Sequence, residues 1–210
     1  MTLEYKLFYQ RHLPHYQLPG ARLFITFRLS GSLPKIILQQ LLEEKIHLDA
    51  RYATLEEAQK KIEEDRSWRY LFGKMDENLS KQSSGPLWLN DPGIAAIVAE
   101  SLHFCNNRQY ELDAYCIMPN HVHLVCTPLV QEDGSYFAIS RIMLTLKGFT
   151  ARKANQLLNR QGAFWEHENY DRVIRDDEEW QRIVAYTQMN PVKAGFVDSW
   201  ENWEWTYVRL

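Results

Sequence analysis

Two histidines separated by one residue, His121-Val-His123, lie in an apolar, β-branched run from His121 to Thr127 whose composition predicts a strand. Side chains alternate faces along a strand, so both imidazoles must leave the same face while Val122 enters the core. Two nitrogen donors on one face make a clip for a metal ion, although such a pair also occurs as hydrogen-bonded structural histidines. Two other chemistries built on H-x-H fail on the residues that follow. A metallohydrolase of the H-x-H-x-D-H kind needs an acid and a histidine where this chain has Leu124, Val125 and Cys126, and a histidine-triad nucleotidyl enzyme needs a third histidine at position 125.

The second group of candidates lies on a helix near the end of the chain. A helical wheel clusters Trp180, Ile183, Val184 and Thr187 as the core stripe and puts Tyr186 and Asn190, four residues apart, together on its flank. One phenol and one amide could then face a common cleft. Each also has a plainer role, the tyrosine in packing and the asparagine as a helix stop before Pro191.

The elements that must position these groups follow from periodicity and punctuation. Residues 22–31 read as a first strand between Pro19-Gly20 and Gly31, and residues 35–66 as helix with a wide charged face. Residues 76–92 are turn-rich. A helix is expected over 94–104, then two strands, 109–117 and 121–127, joined by the tight connection Met118-Pro-Asn120. A long helix over 138–158 has Ile139, Ile142, Met143, Leu146 and Phe149 as its expected apolar face. A short extended piece, 170–174, precedes a last helix that opens on Asp176-Asp-Glu-Glu179, acids suited to a helix N-terminus, and is closed by Pro191. This order predicts an α+β fold: a ferredoxin-like split β-α-β antiparallel sheet flanked by helices, with a C-terminal helix carrying the tyrosine. Residues 1–210 are expected to form one domain, with an enlarged helical insertion in the first crossover at about 35–90.

Composition narrows the setting. The 210 residues are 45% hydrophobic and 13% aromatic, enough for a packed core. The charged start and the lack of a long apolar window imply a cytoplasmic protein with no membrane partner. Cys105, Cys116 and Cys126 have no C-x-x-C spacing and read as buried free thiols. A net charge of -3 excludes coating of nucleic acid through bulk charge, but residues 141–175 hold seven basic residues against three acidic ones, a local excess of +4 that suits a phosphate-binding face.

Several longer runs carry a family likeness. Tyr115-Cys-Ile-Met-Pro-Asn-His-Val-His-Leu-Val125, Leu146-Lys-Gly-Phe-Thr-Ala-Arg152, Phe164-Trp-Glu166, Tyr170-Asp-Arg-Val-Ile-Arg175 and Tyr186-Thr-Gln-Met-Asn-Pro-Val-Lys-Ala-Gly195 resemble the REP-associated tyrosine transposases, of the HUH single-strand nuclease superfamily. The likeness covers 21–34 and 87–207 in order and leaves 35–86 outside the compact family core. It implies metal ligation by His121, His123 and the amide oxygen of Asn190, with Tyr186 as nucleophile. It implies DNA transposition chemistry: Tyr186 attacks a phosphate in single-stranded DNA, a 5′-phosphotyrosine forms, and a free 3′-hydroxyl leaves. A divalent ion, Mg²⁺ or Mn²⁺, suits two imidazoles and an amide oxygen. The implied partner is a DNA hairpin from an extragenic repeat, and by the same likeness the protein leans toward a monomer.

Candidates for DNA-backbone contact are Arg141, Lys147, Arg152, Lys153, Arg172 and Arg175. Trp200, Trp203 and Trp205 are candidates either for stacking on unpaired bases or for packing at the sheet edge. Three rivals stand beside this reading. A non-cutting hairpin-binding regulator derived from a transposase would not need the intact chemistry. A replication initiator or relaxase usually carries further domains. A metal-dependent hydrolase with no covalent step would not need Tyr186.

Overall fold

The computed structural model describes residues 8–10, 14–16, 18–81 and 85–209. Its elements are β1 (Phe8–Gln10), β2 (Pro14–Tyr16), β3 (Leu23–Arg28), α1 (Lys35–Tyr52), α2 (Glu57–Ser80), α3 (Pro92–Cys105), β4 (Tyr110–Ile117), β5 (His121–Pro128), α4 (Ile139–Leu157), β6 (Tyr170–Val173), α5 (Asp177–Gln188), α6 (Asn190–Lys193) and β7 (Thr206–Val208). The chain divides into two compact units, one of residues 31–86 and the other of the remainder. Among the described residues no helix is long and apolar enough to cross a membrane.

The larger unit is built on a five-stranded antiparallel sheet in the order β6-β3-β5-β4-β7. Four of its strands have the connectivity of a split β-α-β fold: β3 and β5 lie in the centre, with β6 beside β3 and β4, the hairpin partner of β5, on the other side. That hairpin turns over Met118–Asn120 and closes with Met118 N–H donating to His121 O at 2.8 Å. A register shift between Leu112 and Ala114 leaves Asp113 as a bulge in β4. β7, which the sequence did not signal, pairs with β4 and brings the tail aromatics home. Trp205 and Tyr207 pack on the core, and Trp203 stacks on Phe196 and donates its indole N–H to Ile117 O at 3.0 Å.

One face of the sheet is apolar. Leu23, Ile25 and Phe27 of β3, Val122, Leu124 and Cys126 of β5, and Leu112 of β4 meet Ile94, Val98 and Leu102 of α3 and Ile139, Ile142, Met143 and Leu146 of α4. At about 25 cal/mol per Å² of apolar surface removed from water, this layer is the chief source of the unit's stability. α3 begins where Asp91 accepts hydrogen bonds from the backbone N–H groups of Gly93 and Ile94 at 2.8 and 3.3 Å. The three cysteines are buried and free, and burial pushes the Cys105 and Cys126 thiols up.

One residue of α4 departs from expectation. Phe149 is 42% exposed, and Thr150 is buried in its stead. A buried hydroxyl needs partners, and Thr150 has them: it donates to Leu146 O at 2.6 Å and accepts the Trp165 indole N–H at 2.8 Å. Apolar periodicity cannot register that exchange.

The smaller unit is a helical hairpin. Its two helices interrupt what the sequence presented as one helix over 35–66, and α2 continues to Ser80, into the stretch expected to be turn. It continues because Leu71, Phe72, Met75 and Leu79 recur at helical spacing and are all buried. Ser67 donates to Tyr52 Oη at 2.8 Å and Lys74 pairs with Glu44 at 2.7 Å, tying α2 to α1. The unit's two ends meet. Gly85 has φ +86°, and a Cβ there would stand 2.3 Å from the carbonyl oxygen of Gly31, so this position admits only glycine.

Candidate functional site

The opposite face of the same sheet is polar. His121 and His123 leave β5 on this side, across from Arg28 and Thr26 of β3. α5 lies over this face, against β4, β5 and β7. Its N-terminus is fixed by the Asp176 side chain, which accepts the Glu179 backbone N–H at 2.7 Å. Glu179 is buried and accepts from Arg172 at 2.6 Å and from Arg175 at 2.9 and 3.1 Å, which clasps β6 to α5. Burial alone would raise its carboxyl pKa, but the two guanidinium groups and the Arg175 backbone N–H outweigh that and hold it below the usual range.

At the centre, His121 Nε2 and His123 Nε2 stand 3.1 Å apart, and both residues are fully buried. Each ring is tethered from behind. His121 Nδ1 lies 2.7 Å from Asn120 Oδ1, an acceptor, so Nδ1 carries the proton and Nε2 presents a lone pair. His123 Nδ1 lies 2.8 Å from Thr26 Oγ1. The Asn190 amide donates from Nδ2 to His123 Nε2 at 3.1 Å, so that nitrogen is an acceptor too. Two lone pairs facing each other at this distance repel unless a proton or cation lies between them. This donor set fits a metal ion: imidazoles held at Nδ1 bring their two Nε2 atoms together, and a half-turn of the Asn190 amide adds an oxygen.

Tyr186 is half-buried beside this cluster. Its ring meets His123 edge-on at 5.6 Å between centroids and Phe24 at 6.1 Å, while Phe24 stacks on His123 at 5.6 Å. The Lys193 ammonium sits 4.5 Å from the Tyr186 ring centroid. α5 stops at Gln188, and Asn190-Pro191 opens the separate turn α6, so the chain bends between the phenol and the amide rather than continuing one helix.

The structure thus brings His121, His123, Tyr186 and Asn190 into one cluster. The six basic candidates separate into two sets. Arg141, Arg152 and Lys153 are exposed on α4. Lys147 donates to the carbonyls of Glu166 and His167 at 3.0 and 3.2 Å, and Arg172 and Arg175 are held by Glu179, so these three brace the fold.

Residues that sequence reasoning missed are Asn120, Thr26, Phe24, Lys193 and Arg28. The first four touch the cluster directly. Arg28 is buried on the site face and pairs with Glu166 at 3.4 Å; desolvation lowers its pKa, against the pull of that carboxylate. Burial raises the neighbouring Tyr170 phenol to about 12. The alternation Phe24, Thr26, Arg28 in β3 was visible as one face, but only the register shows that it faces the histidines.

A ferredoxin-like sheet that offers two histidines to a helix-borne tyrosine is the arrangement expected of a tyrosine transposase. Residues 92–190 match the IS200-like transposase family. A REP-associated tyrosine transposase of Escherichia coli K12 is 34% identical over 98 residues, 46% of this chain and 53% of the relative. A Haemophilus influenzae protein that bears the same name provisionally is 30% identical over 110 residues, 49% of this chain and 61% of the relative. The chain therefore spans little more than half the length of these curated relatives. The solved structure of a REP-associated tyrosine transposase bound to a REP hairpin superposes with a TM-score of 0.52 at 16% identity, covering 94% of this chain and 80% of that one, and so shares the fold. Residues 92–190 thus resemble the IS200-like transposases, and the curated relatives that this chain resembles are REP-associated tyrosine transposases.

Proposed function

We propose that this protein is a metal-dependent, HUH-type transposase that cuts and rejoins single-stranded DNA at repeat hairpins in the cytoplasm, through a 5′-phosphotyrosine on Tyr186. The observation that carries this reading is the convergence of His121 Nε2, His123 Nε2 and the Asn190 amide beside the Tyr186 ring. His121, His123 and Asn190 would hold a divalent ion, Mg²⁺ or Mn²⁺, which when bound supplies Lewis-acid polarisation of the scissile phosphate. Asn120 Oδ1 and Thr26 Oγ1 orient the two rings at Nδ1 for this.

Tyr186 is the nucleophile. Its hydroxyl proton passes to water and its Oη–P bond forms as the P–O3′ bond breaks, while the 3′ oxygen leaves with the electron pair and takes a proton from water. A second 3′-hydroxyl reverses the step, which is what rejoining requires. Phe24 and His123 pack against the ring in T-shaped contacts, so attack begins from a fixed orientation. Exposed Arg141, Arg152 and Lys153 supply backbone contacts to the hairpin, with Lys147, Arg172 and Arg175 supporting the surface on which it rests.

The test uses 5′- and 3′-labelled single-stranded hairpin oligonucleotides with Mn²⁺, the wild-type protein and Tyr186→Phe, resolved on denaturing gels. The expected result is label from the downstream fragment retained on wild-type protein alone and lost on chelation. Cutting by Tyr186→Phe would point instead to a hydrolase, and binding without cutting across a broad panel to a regulatory DNA-binding protein.

A further inference from the structure

The face of Tyr186 that meets Lys193 raises a question that metal and nucleophile leave open: what meets the phosphate oxygens on the side of the ring away from the histidines. His123 and Phe24 pack against the ring in T-shaped contacts. Lys193 is exposed, so its ammonium stands on the side open to solvent, the side from which DNA must arrive. It is placed there by the chain bend at Asn190-Pro191. The Lys193 backbone N–H bonds to Met189 O and the Ala194 N–H to Asn190 O, both at 3.0 Å, which winds α6 tightly enough to return residue 193 over residue 186. Gly195, at φ +74°, then lets the chain leave.

The contrast with nearby cations is direct. Arg172 and Arg175 share ion pairs with Glu179, Arg28 pairs with Glu166, and Lys147 is bonded to carbonyls. Among the described residues no carboxylate is paired with Lys193; its contact is the tyrosine ring. In a near-attack arrangement the phosphorus lies roughly 3–3.5 Å from the phenol oxygen. An ammonium beside the ring then reaches a non-bridging phosphate oxygen by rotation about its own side-chain bonds.

Resting on the transferase reading above, we propose that Lys193 is a catalytic residue of the strand-transfer step. Its ammonium grips a non-bridging oxygen of the phosphate that Tyr186 attacks and remains on that phosphate while it is esterified to the tyrosine. Lys193 exchanges no proton in this step. The bond made is Tyr186 Oη–P, the bond broken is P–O3′, and the ammonium offsets the charge that concentrates on the equatorial oxygens between them. Such a donor acts in the transition state more than in the ground state, so its loss falls on the rate at saturation and little on binding.

The experiment compares Lys193→Met and Lys193→Arg with wild type. Single-turnover formation of the covalent adduct is measured at saturating labelled hairpin with Mn²⁺, and the Kd for the same hairpin is measured in chelator. Unchanged thermal unfolding controls for folding. The Met variant should lose on the order of 10²-fold in the saturated rate. Its Kd should stay within about threefold, since one phosphate contact contributes little to affinity, and the Arg variant should recover most of the rate. A Met variant with wild-type rate overturns the proposal, and so does a rate loss that follows entirely from weakened binding. Failure of wild type to form an adduct with any hairpin in the panel sinks the transferase reading itself, and this proposal with it.

Discussion

The two faces of one sheet differ more than any two elements of the molecule. Along β5, Val122, Leu124 and Cys126 look into a dry layer under α3 and α4, while His121 and His123, one residue out of phase, look into a polar layer under α5. The first layer is held by area and asks for no particular partner. The second is held at its centre by named hydrogen bonds, in which His121 and His123 each depend on specific neighbours. Strand periodicity thus separates stability from chemistry within single strands, and substitutions on one face should leave the other's property largely intact.

The strongest break of this comparison comes from the apolar face. Leu124→Ala should cost about 2–5 kcal/mol in denaturant unfolding, while the folded fraction retains its response to added Mn²⁺. Loss of that response in still-folded protein would mean that the faces are coupled.

The next effect belongs to the polar face. Saturating Mn²⁺ should raise the unfolding free energy of wild type by about 2.7 kcal/mol at a hundredfold excess over Kd. His121→Ala should abolish the increment, as read by calorimetry with and without chelator. A full increment in that variant would remove His121 from the ligand set.

The smallest effect tests the clasp that holds α5 in place. Glu179→Gln should cost about 1–3 kcal/mol, because two guanidinium groups lose their buried carboxylate. Its folded pKa is depressed, so the stability it contributes is fully present above the unfolded value of about 4.5 and is lost as the pH falls through the folded value. Unfolding measured between pH 7 and pH 3 should therefore decline less steeply in the variant than in wild type.

How much of this was legible in the sequence follows the same division. The strands, the order of elements and the shared face of His121 and His123 come from period-two alternation, a local property. The pairing of Tyr186 with Asn190 at a four-residue interval is local too, although the wheel assumed a continuous helix where the chain bends. What was hidden is set by register. Thr26 meets His123 only because β3 and β5 pair as they do, and the Lys193 contact with Tyr186 crosses the break between α5 and α6. Phe149 and Thr150 exchanged places because Trp165, fifteen residues on in the chain from Thr150, brings an indole N–H that no helical wheel contains. The charge excess over 141–175 was legible as a count, but not that three of the six backbone-contact candidates also make intramolecular bonds.

The meeting of Gly31 and Gly85 carries a different lesson, about ancestry and engineering. A module whose entrance and exit touch is a topological cul-de-sac: its length can grow, shrink or be replaced without altering the route of the chain on either side, provided that the doorway keeps its glycine. The helical hairpin between them is therefore the place where relatives of this protein should vary most in size.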